Sequence, residues 1–377
     1  MTRFIVPSTL RTWAEVDLAA LRHNLALVRR TIGPCPQILA VVKANAYGHG
    51  DGPAARALAG DAACFGVATL SEARSVLAAG TGRDIMLLSP CLPAERKSAV
   101  EEGVIATVSS AEEAIGFAAC GSARVNFKVD TGMGRVGALS EQAERELRLM
   151  AGKVLIHSIS THLPSSDADE KFTRSQLEGF SRMLDGFRRL APEAKIHALN
   201  SAGILRFPEF AEDLVRAGLI LYGSSPLPEL QGECRPALAW KARVTLVKDL
   251  PAGAGVSYGR TFLAPRPIRT AVLAVGYADG FPRQASGQGA CVLIRGRRCP
   301  VLGRVTMDQV VVQVEGDVEA GEEAVLIGTQ GNETLLAGEL AARANTIAWD
   351  IFTGIKGRVV RIYPELPGTM ASTPGGA

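Results

Sequence analysis

The sequence predicts an α/β protein: an eight-stranded parallel β/α barrel followed by a mostly β C-terminal domain. Two observations predict it. From about residue 37 to 222, short apolar runs alternate with charged segments of helical period, the pattern of parallel strands joined by crossover helices. Beyond residue 222 the texture changes to β-branched runs separated by Gly/Pro-rich turns. An open doubly wound sheet is the alternative for the first part, because periodicity does not register closure.

The strand candidates, in order, are QILAVVK, CFGVATL, DIMLLS, VIATVSS, RVNFKVD, VLIHSISTH, KIHALN and GLILYG. Helical stretches such as SEARSVLAAG, SEQAERELRLMAG and TRSQLEGFSRMLDGFRRL separate them. Eight such runs fit a barrel. GSSPLPELQGECRP then reads as a linker, and ARVTLVKDL, TAVLAVGY, ACVLIRG and QVVVQV as strands of a second domain. One helix, LLAGELAARAN, interrupts that domain before the closing strand GRVVRIY. We therefore expect a barrel over residues 12–228, a mostly β domain over 229–370 with residues 1–11 packed against it, and a flexible tail over 371–377.

Composition narrows the class. At 377 residues the chain is longer than one ordinary core, and 47% hydrophobic against 21% charged residues excludes a disordered protein. A net charge of +3 with no basic, aromatic-interleaved patch disfavours a nucleic-acid partner. No apolar stretch approaches membrane-spanning length, and the N-terminal residues lack a signal-peptide pattern. The seven cysteines are scattered with no C-x-x-C spacing, so we expect no metal site and a reducing, cytoplasmic location.

The segment AVVKANAYGHG carries the most chemistry. A buried strand delivers Lys43 at its end and turns through a loop containing Tyr47, Gly48, His49 and Gly50. A lysine after an apolar strand is ordinarily a solvated charge, but barrels place their chemistry at this C-terminal mouth, where an amine can add to a carbonyl.

The whole string closely resembles the cofactor-binding motif of alanine racemases. The resemblance runs, with gaps, from about Trp13 to Tyr363 and recurs in FKVDTGMGRVG, ISTHL, HALNSAG, VRAGLILYG, VSYGRTF, VGYADGFPR and GRVTMDQ. It implies a barrel followed by a β domain, pyridoxal 5'-phosphate as cofactor, and a homodimer with active sites shared between subunits. It further implies a racemase interconverting L- and D-alanine by two opposed bases, in the family role of supplying D-alanine for a bacterial cell wall.

By the same resemblance, Lys43 is the Schiff-base lysine and one catalytic base, and Tyr258, from the partner subunit, is the other. An ordinary phenol titrates near ~10, so the site must ease its deprotonation or relay its proton. Arg216 faces the pyridine nitrogen and, keeping its own protons, donates a hydrogen bond rather than a proton. His162 links Arg216 to the tyrosine, and His197 stacks beneath the ring. Ser201, Tyr47 and the amides of Gly218 and Leu219 hold the phosphate, with Asn200 in the same cluster. Arg135 receives the substrate carboxylate, a task suited to a planar guanidinium. Lys128 aligns with a lysine often carbamylated in the family. Met307 offers its backbone amide to substrate, and Asp167, Tyr277 and Arg304 line the access corridor.

Two positions depart from the family pattern. R-P-G appears as Arg216-Ala217-Gly218, and T-I-x-Y-E reads Thr346-Ile347-Ala348-Trp349-Asp350. Trp349 thus replaces a tyrosine that touches the phosphate, with altered cofactor affinity or a shift towards serine as the expected consequence. The competing readings are a serine or broad small-amino-acid racemase, a pyridoxal-phosphate decarboxylase, and a cofactor-binding protein without turnover. The second base argues against the last two.

Overall fold

The structure is a computed structural model that describes residues 6–365. The expected tail over 371–377 and the first five residues lie outside the described residues. The chain divides into two compact units. One runs from Leu21 to Ala46 and from Gly50 to Arg235; the other holds the chain up to Ala20, Tyr47–His49 and the residues from Pro236 onwards.

The first unit is a nearly closed barrel of eight parallel strands. Their order is Leu214–Ala217, Gln37–Val41, Ala62–Val67, Asp84–Pro90, Ile105–Val108, Arg124–Asp130, Leu155–Ser160 and Lys195–His197. Each parallel pairing is regular enough to fix facing residues, for example Arg216 beside Leu39 and Asn126 beside Ser158. The two ends of the row meet where the Arg216 amide donates to Leu199 O at 2.9 Å. The strands are buried on both faces, with Ile38, Phe65, Met86, Phe127 and Ile196 all shielded from solvent.

Seven of the eight strands fall where the apolar runs predict them. The last does not: GLILYG is a 3-10 turn over Leu219–Tyr222, and the strand is the preceding Leu214–Ala217. A run of four buried apolar residues reads the same in either conformation, and here the Tyr222 hydroxyl donates to Val41 O at 2.7 Å beneath the barrel wall. The helical stretch over residues 173–190 is two helices, Glu170–Ser181 and Leu184–Leu190.

The second unit is built on a sheet in the order Arg297–Pro300, Cys291–Ile294, Glu323–Gln330, Leu238–Leu250, Thr12–Val16 and Val360–Ile362, with Ile268–Leu273 branching from the long strand and Val310–Val314 pairing with Ile268–Leu273 in turn. Thr12–Val16, expected at the start of the barrel, instead lies antiparallel to Leu238–Leu250 and parallel to Val360–Ile362. The reason is visible in its packing. Trp13 is fully buried under the Arg243 guanidinium, 4.8 Å from its ring, and Thr12 Oγ1 accepts from Trp240 Nε1 at 3.0 Å. Two short helices, Ala337–Arg343 and Ala348–Gly354, follow; only the first is legible as an apolar-periodic run. Tyr47–His49 join this unit because the His49 ring meets Phe352 at 5.2 Å and the Tyr363 hydroxyl donates to His49 O at 3.0 Å. Among the described residues, no helix is long and apolar enough to cross a membrane.

One buried amide closes the barrel unit. Asn24 is fully enclosed; its Nδ2 donates to Leu221 O at 3.0 Å and Arg235 O at 2.8 Å, and its Oδ1 accepts from the Arg235 amide at 2.9 Å. Asn24→Ala strands all three backbone groups. We predict a loss of about 3 kcal/mol in unfolding free energy, read by urea titration, with far-UV circular dichroism unchanged.

Candidate active site

Lys43 sits just past the first barrel strand, at the start of an unusual turn. Ala44, Asn45, Ala46 and Tyr47 all have φ between 50° and 53°, a left-handed run of four non-glycine residues. Each such residue costs about 1–2 kcal/mol, so the run persists only because its surroundings impose it. The Ala44 amide donates to Glu72 Oε1 at 2.8 Å, the Ala46 amide to Val42 O at 2.8 Å, and the Asp51 amide to Asn45 Oδ1 at 3.1 Å. Glu72 also closes a capping box with Thr69 on helix Leu70–Ala78, so one carboxylate braces two strand ends.

Around this lysine the barrel mouth gathers positive charge. Burial, then Arg135, lowers the Lys43 pKa, with Glu72 opposing, so more of the amine is unprotonated than in a solvated lysine. The Lys128 amine donates to Thr161 O at 2.9 Å, and burial followed by Arg216 and Arg135 drives its pKa well below the usual lysine range. His162 is pushed down to about 2 by burial, Arg216, Lys128, Arg135 and Lys43. Burial and these four positive groups leave the imidazole neutral at working pH.

Arg216 is the buried centre. It is the third residue of its strand and 4% exposed, and burial lowers its pKa to about 10, which leaves it charged at neutral pH. Among the described residues, no carboxylate pairs with it. Its Nη2 donates to Ala198 O at 2.7 Å, Thr161 O at 2.8 Å and His162 Nδ1 at 3.2 Å, and its Nη1 to His197 Nδ1 at 2.8 Å and His197 O at 3.2 Å.

This arrangement corrects one expectation. His197 cannot stack beneath a ligand ring: it is 0% exposed, and both ring nitrogens are engaged inside the barrel by Arg216 and Asn126. Of the two histidines bonded to Arg216, His162 is the half-buried one.

Ser201 Oγ accepts from the Gly218 amide at 2.9 Å and the Ile220 amide at 3.5 Å, which draws the turn Gly218–Leu219 against the start of helix Ser201–Arg206. Asn200 caps that helix through the Gly203 amide, while its Nδ2 donates to Leu163 O at 3.1 Å and its Oδ1 accepts from Ser166 Oγ at 2.8 Å. Asp167, next along, is exposed and takes Arg206 on its carbonyl at 3.1 Å. Arg135 is positioned by Asp130, whose carboxylate accepts the Gly132, Met133 and Arg135 amides at 2.9, 2.8 and 3.1 Å. Burial would raise the Asp130 pKa, and these amides together outweigh it and hold the carboxylate charged.

The second unit carries its own set. Ser257 Oγ donates to Arg304 O at 2.6 Å, and the Tyr277 and Ala278 amides donate to Thr306 O at 3.1 Å and Met307 O at 2.9 Å. A side chain at Gly276 would strike the carbonyls of Thr306 and Met307, so only glycine allows the two loops to close. Arg358 then bridges Asp279 at 3.1 Å and Asp308 at 2.9 Å. Tyr258, Tyr277, Arg304 and Met307 thus stand on three mutually tied loops, with Tyr258 71% and Met307 53% exposed. Tyr47 is buried in this unit, which raises its phenol to about 12 and keeps it a donor. Trp349 is half-buried on helix Ala348–Gly354.

Residues 16–226 match the family description "Alanine racemase, N-terminal domain", and residues 237–363 match "Alanine racemase, C-terminal domain". The chain belongs to the alanine racemase family. An alanine racemase of Symbiobacterium thermophilum is 42% identical over 366 residues, covering 93% of this chain and 97% of that one. The alanine racemase structure from Streptomyces coelicolor superposes with a TM-score of 0.88 at 38% identity, over 95% of this chain and 99% of that one. The Bartonella henselae alanine racemase with covalently bound pyridoxal phosphate gives 0.86 at 28% identity, over 94% and 99% of the two chains.

Beyond the residues assigned from the sequence, the structure adds Glu72 and Asn126, and, within FKVDTGMGRVG and ISTHL, Asp130 and Thr161. Glu72 was visible as the fourth residue of T-L-S-E, a capping-box spacing, but nothing in that spacing points to Lys43.

The neutral histidines have a consequence for folding. His162 and His197 bind no proton in the native state near neutral pH, while in the unfolded chain each titrates near 6.5. The unfolded state therefore takes up more protons below that value, and native stability falls as pH drops from 6.5. We predict a slope of up to about 1.4 kcal/mol per pH unit for each histidine, read from urea unfolding of cofactor-free protein between pH 7.5 and 5.5, and a shallower slope in His162→Gln.

Proposed function

We propose that this chain interconverts L- and D-alanine with Lys43 and Tyr258 as opposed bases and pyridoxal 5'-phosphate as the cofactor. The observation that carries the reading is the composition of the barrel mouth, where Lys43, Lys128, Arg135 and Arg216 surround a neutral histidine. Such a pocket suits a ligand with a phosphate and a substrate with a carboxylate, and Lys43, with its lowered pKa, suits a covalent link to an aldehyde. Ser201, Gly218 and Leu219 at one side, with Tyr47, would hold the phosphate, and Arg216 would face the ring nitrogen. Bound there, the cofactor supplies an electron sink that acidifies the substrate α-carbon.

The chain's own residues do the rest. Arg216, fixed by carbonyls and neutral imidazoles, donates a hydrogen bond without yielding a proton, which moderates that sink. Arg135 orients the substrate carboxylate, and its place is set by Asp130. Lys128, its pKa lowered by burial and by Arg216 and Arg135, gives up its proton more readily than a solvated lysine; carbamylation there would supply the negative group that the arginine lacks. Lys43 moves a proton on one face of the α-carbon. Tyr258 serves the opposite face, and its exposure together with that of Met307 and Leu263 favours a second copy of the chain as the surface that covers it. The free state of all seven cysteines agrees with a cytoplasmic setting.

The decisive experiment is conversion of L-alanine, D-alanine and L-serine in deuterated buffer with added pyridoxal phosphate. Racemisation with α-deuterium incorporation is expected for alanine, abolition in Lys43→Ala, and at least a hundredfold loss of kcat in Tyr258→Phe. A protein that binds the cofactor yet exchanges no α-hydrogen would overturn the assignment.

Trp349 favours a second reading on substrate scope. Trp349→Tyr is predicted to raise the alanine-to-serine ratio of kcat/KM about tenfold, the scale of one altered pocket contact. An unchanged ratio and unchanged cofactor affinity would remove any role for this position in selectivity.

A further inference from the structure

Arg216 is backed by a polar chain that runs across five barrel strands. His197 Nε2 lies 3.2 Å from Asn126 Oδ1, which also accepts from Ser158 Oγ at 2.9 Å. Asn126 Nδ2 donates to Thr107 Oγ1 at 2.9 Å, and the Thr107 hydroxyl donates to Leu87 O at 2.6 Å. Thr107 and Asn126 are each 2% exposed, and Ser158 and His197 are fully buried. No water competes for these bonds, and each unmatched group would carry its full desolvation cost.

The direction of every bond in this chain is forced from its two ends. At one end, a guanidinium can only donate, so His197 Nδ1 must hold a lone pair and the ring proton must sit on Nε2. At the other, Leu87 O can only accept, so the Thr107 hydroxyl spends its proton there and can only accept from Asn126. The asparagine amide is the one group between them. Its nitrogen must face Thr107 and its oxygen must face His197, the orientation that receives the Nε2 proton.

We infer that Asn126 is a positioning residue for the racemase site: it selects the Nε2–H tautomer of His197 and through it holds Arg216 in place. Asparagine is suited to this because it offers a donor and an acceptor on one rigid plane. An aspartate of the same shape has no donor for Thr107, and its charge draws a second proton onto His197. A doubly protonated imidazole offers Arg216 no lone pair and sets two cations 2.8 Å apart. The guanidinium then loses its registry on the strand. The consequence for turnover rests on the reading that Arg216 faces the cofactor ring; the tautomer does not.

The test is nuclear magnetic resonance of cofactor-free protein carrying 15N-labelled histidine, with the His197 signal assigned by its loss in His197→Gln. In the unmodified chain the expected result is one neutral species protonated at Nε2 at pH 7.5. Protonation at Nδ1, or an equal mixture, overturns the proposal without any variant having to fold. In Asn126→Asp the expected result is a doubly protonated His197, together with a ten- to hundredfold fall in kcat of the loaded enzyme, the scale seen when outer partners of a reactive group are lost. Should that variant fail to fold, Asn126→Leu serves instead: the buried Nε2–H then has no acceptor, and a mixture of neutral tautomers is expected in which part of the population gives up the Arg216–Nδ1 bond. A His197 that keeps its single Nε2–H form in a folded variant overturns the role of Asn126. A changed tautomer with unchanged kcat leaves the positioning of His197 standing and counts against Arg216 as the cofactor's ring partner.

Discussion

A guanidinium buried without a carboxylate is the constraint from which the layout of the site follows. Arg216 would lose several kcal/mol on leaving water were the N–H groups of its two Nη nitrogens not matched. The matching is done by three backbone carbonyls and two imidazoles, all neutral, so the charge is solvated without being cancelled. Burial first, and that positive charge second, lower the proton affinity of Lys128, His162 and His197 around it. It also requires an acceptor on each imidazole, and the barrel interior must carry polar residues where an ordinary core would carry methyl groups.

The price of this arrangement is met by rigidity nearby. Strand ends at the mouth are tied by single carboxylates that collect several backbone amides, Glu72 at Lys43 and Asp130 at Arg135. The second unit uses the same device on a larger scale, with Arg358 holding two acidic residues on two loops. In each case the tie falls on the backbone or loop beneath the residue that would act on a ligand.

Most of the barrel was readable because parallel strands buried on both faces are plain apolar runs, and crossover helices have their own period. The readable site residues, Lys43, Arg216, Ser201 and Tyr258 among them, sit in dense blocks of unusual composition. What could not be read follows from the same physics. GLILYG is as apolar as a strand because it is equally buried, so composition does not separate them. Thr12–Val16 is too short for a periodic signal, and its partners lie more than two hundred residues away. Asn126 looks like the outward-facing polar residue of a half-buried strand. Only closure of the barrel, which periodicity does not register, turns it inward. His197 was placed in the right cluster and on the wrong side of Arg216, since depth within a barrel has no counterpart in sequence spacing.

The membership of Thr12–Val16 in the second sheet sets a timetable for biosynthesis. The strand leaves the ribosome first, but its antiparallel neighbour begins at Leu238 and its parallel neighbour at Val360. At roughly 5–20 residues per second it waits on the order of ten to forty seconds, with Trp13 unburied, while the entire barrel is made and can close without it. The barrel is the unit able to mature during translation. The domain bearing Tyr258 has to be completed afterwards, around a segment made before the barrel.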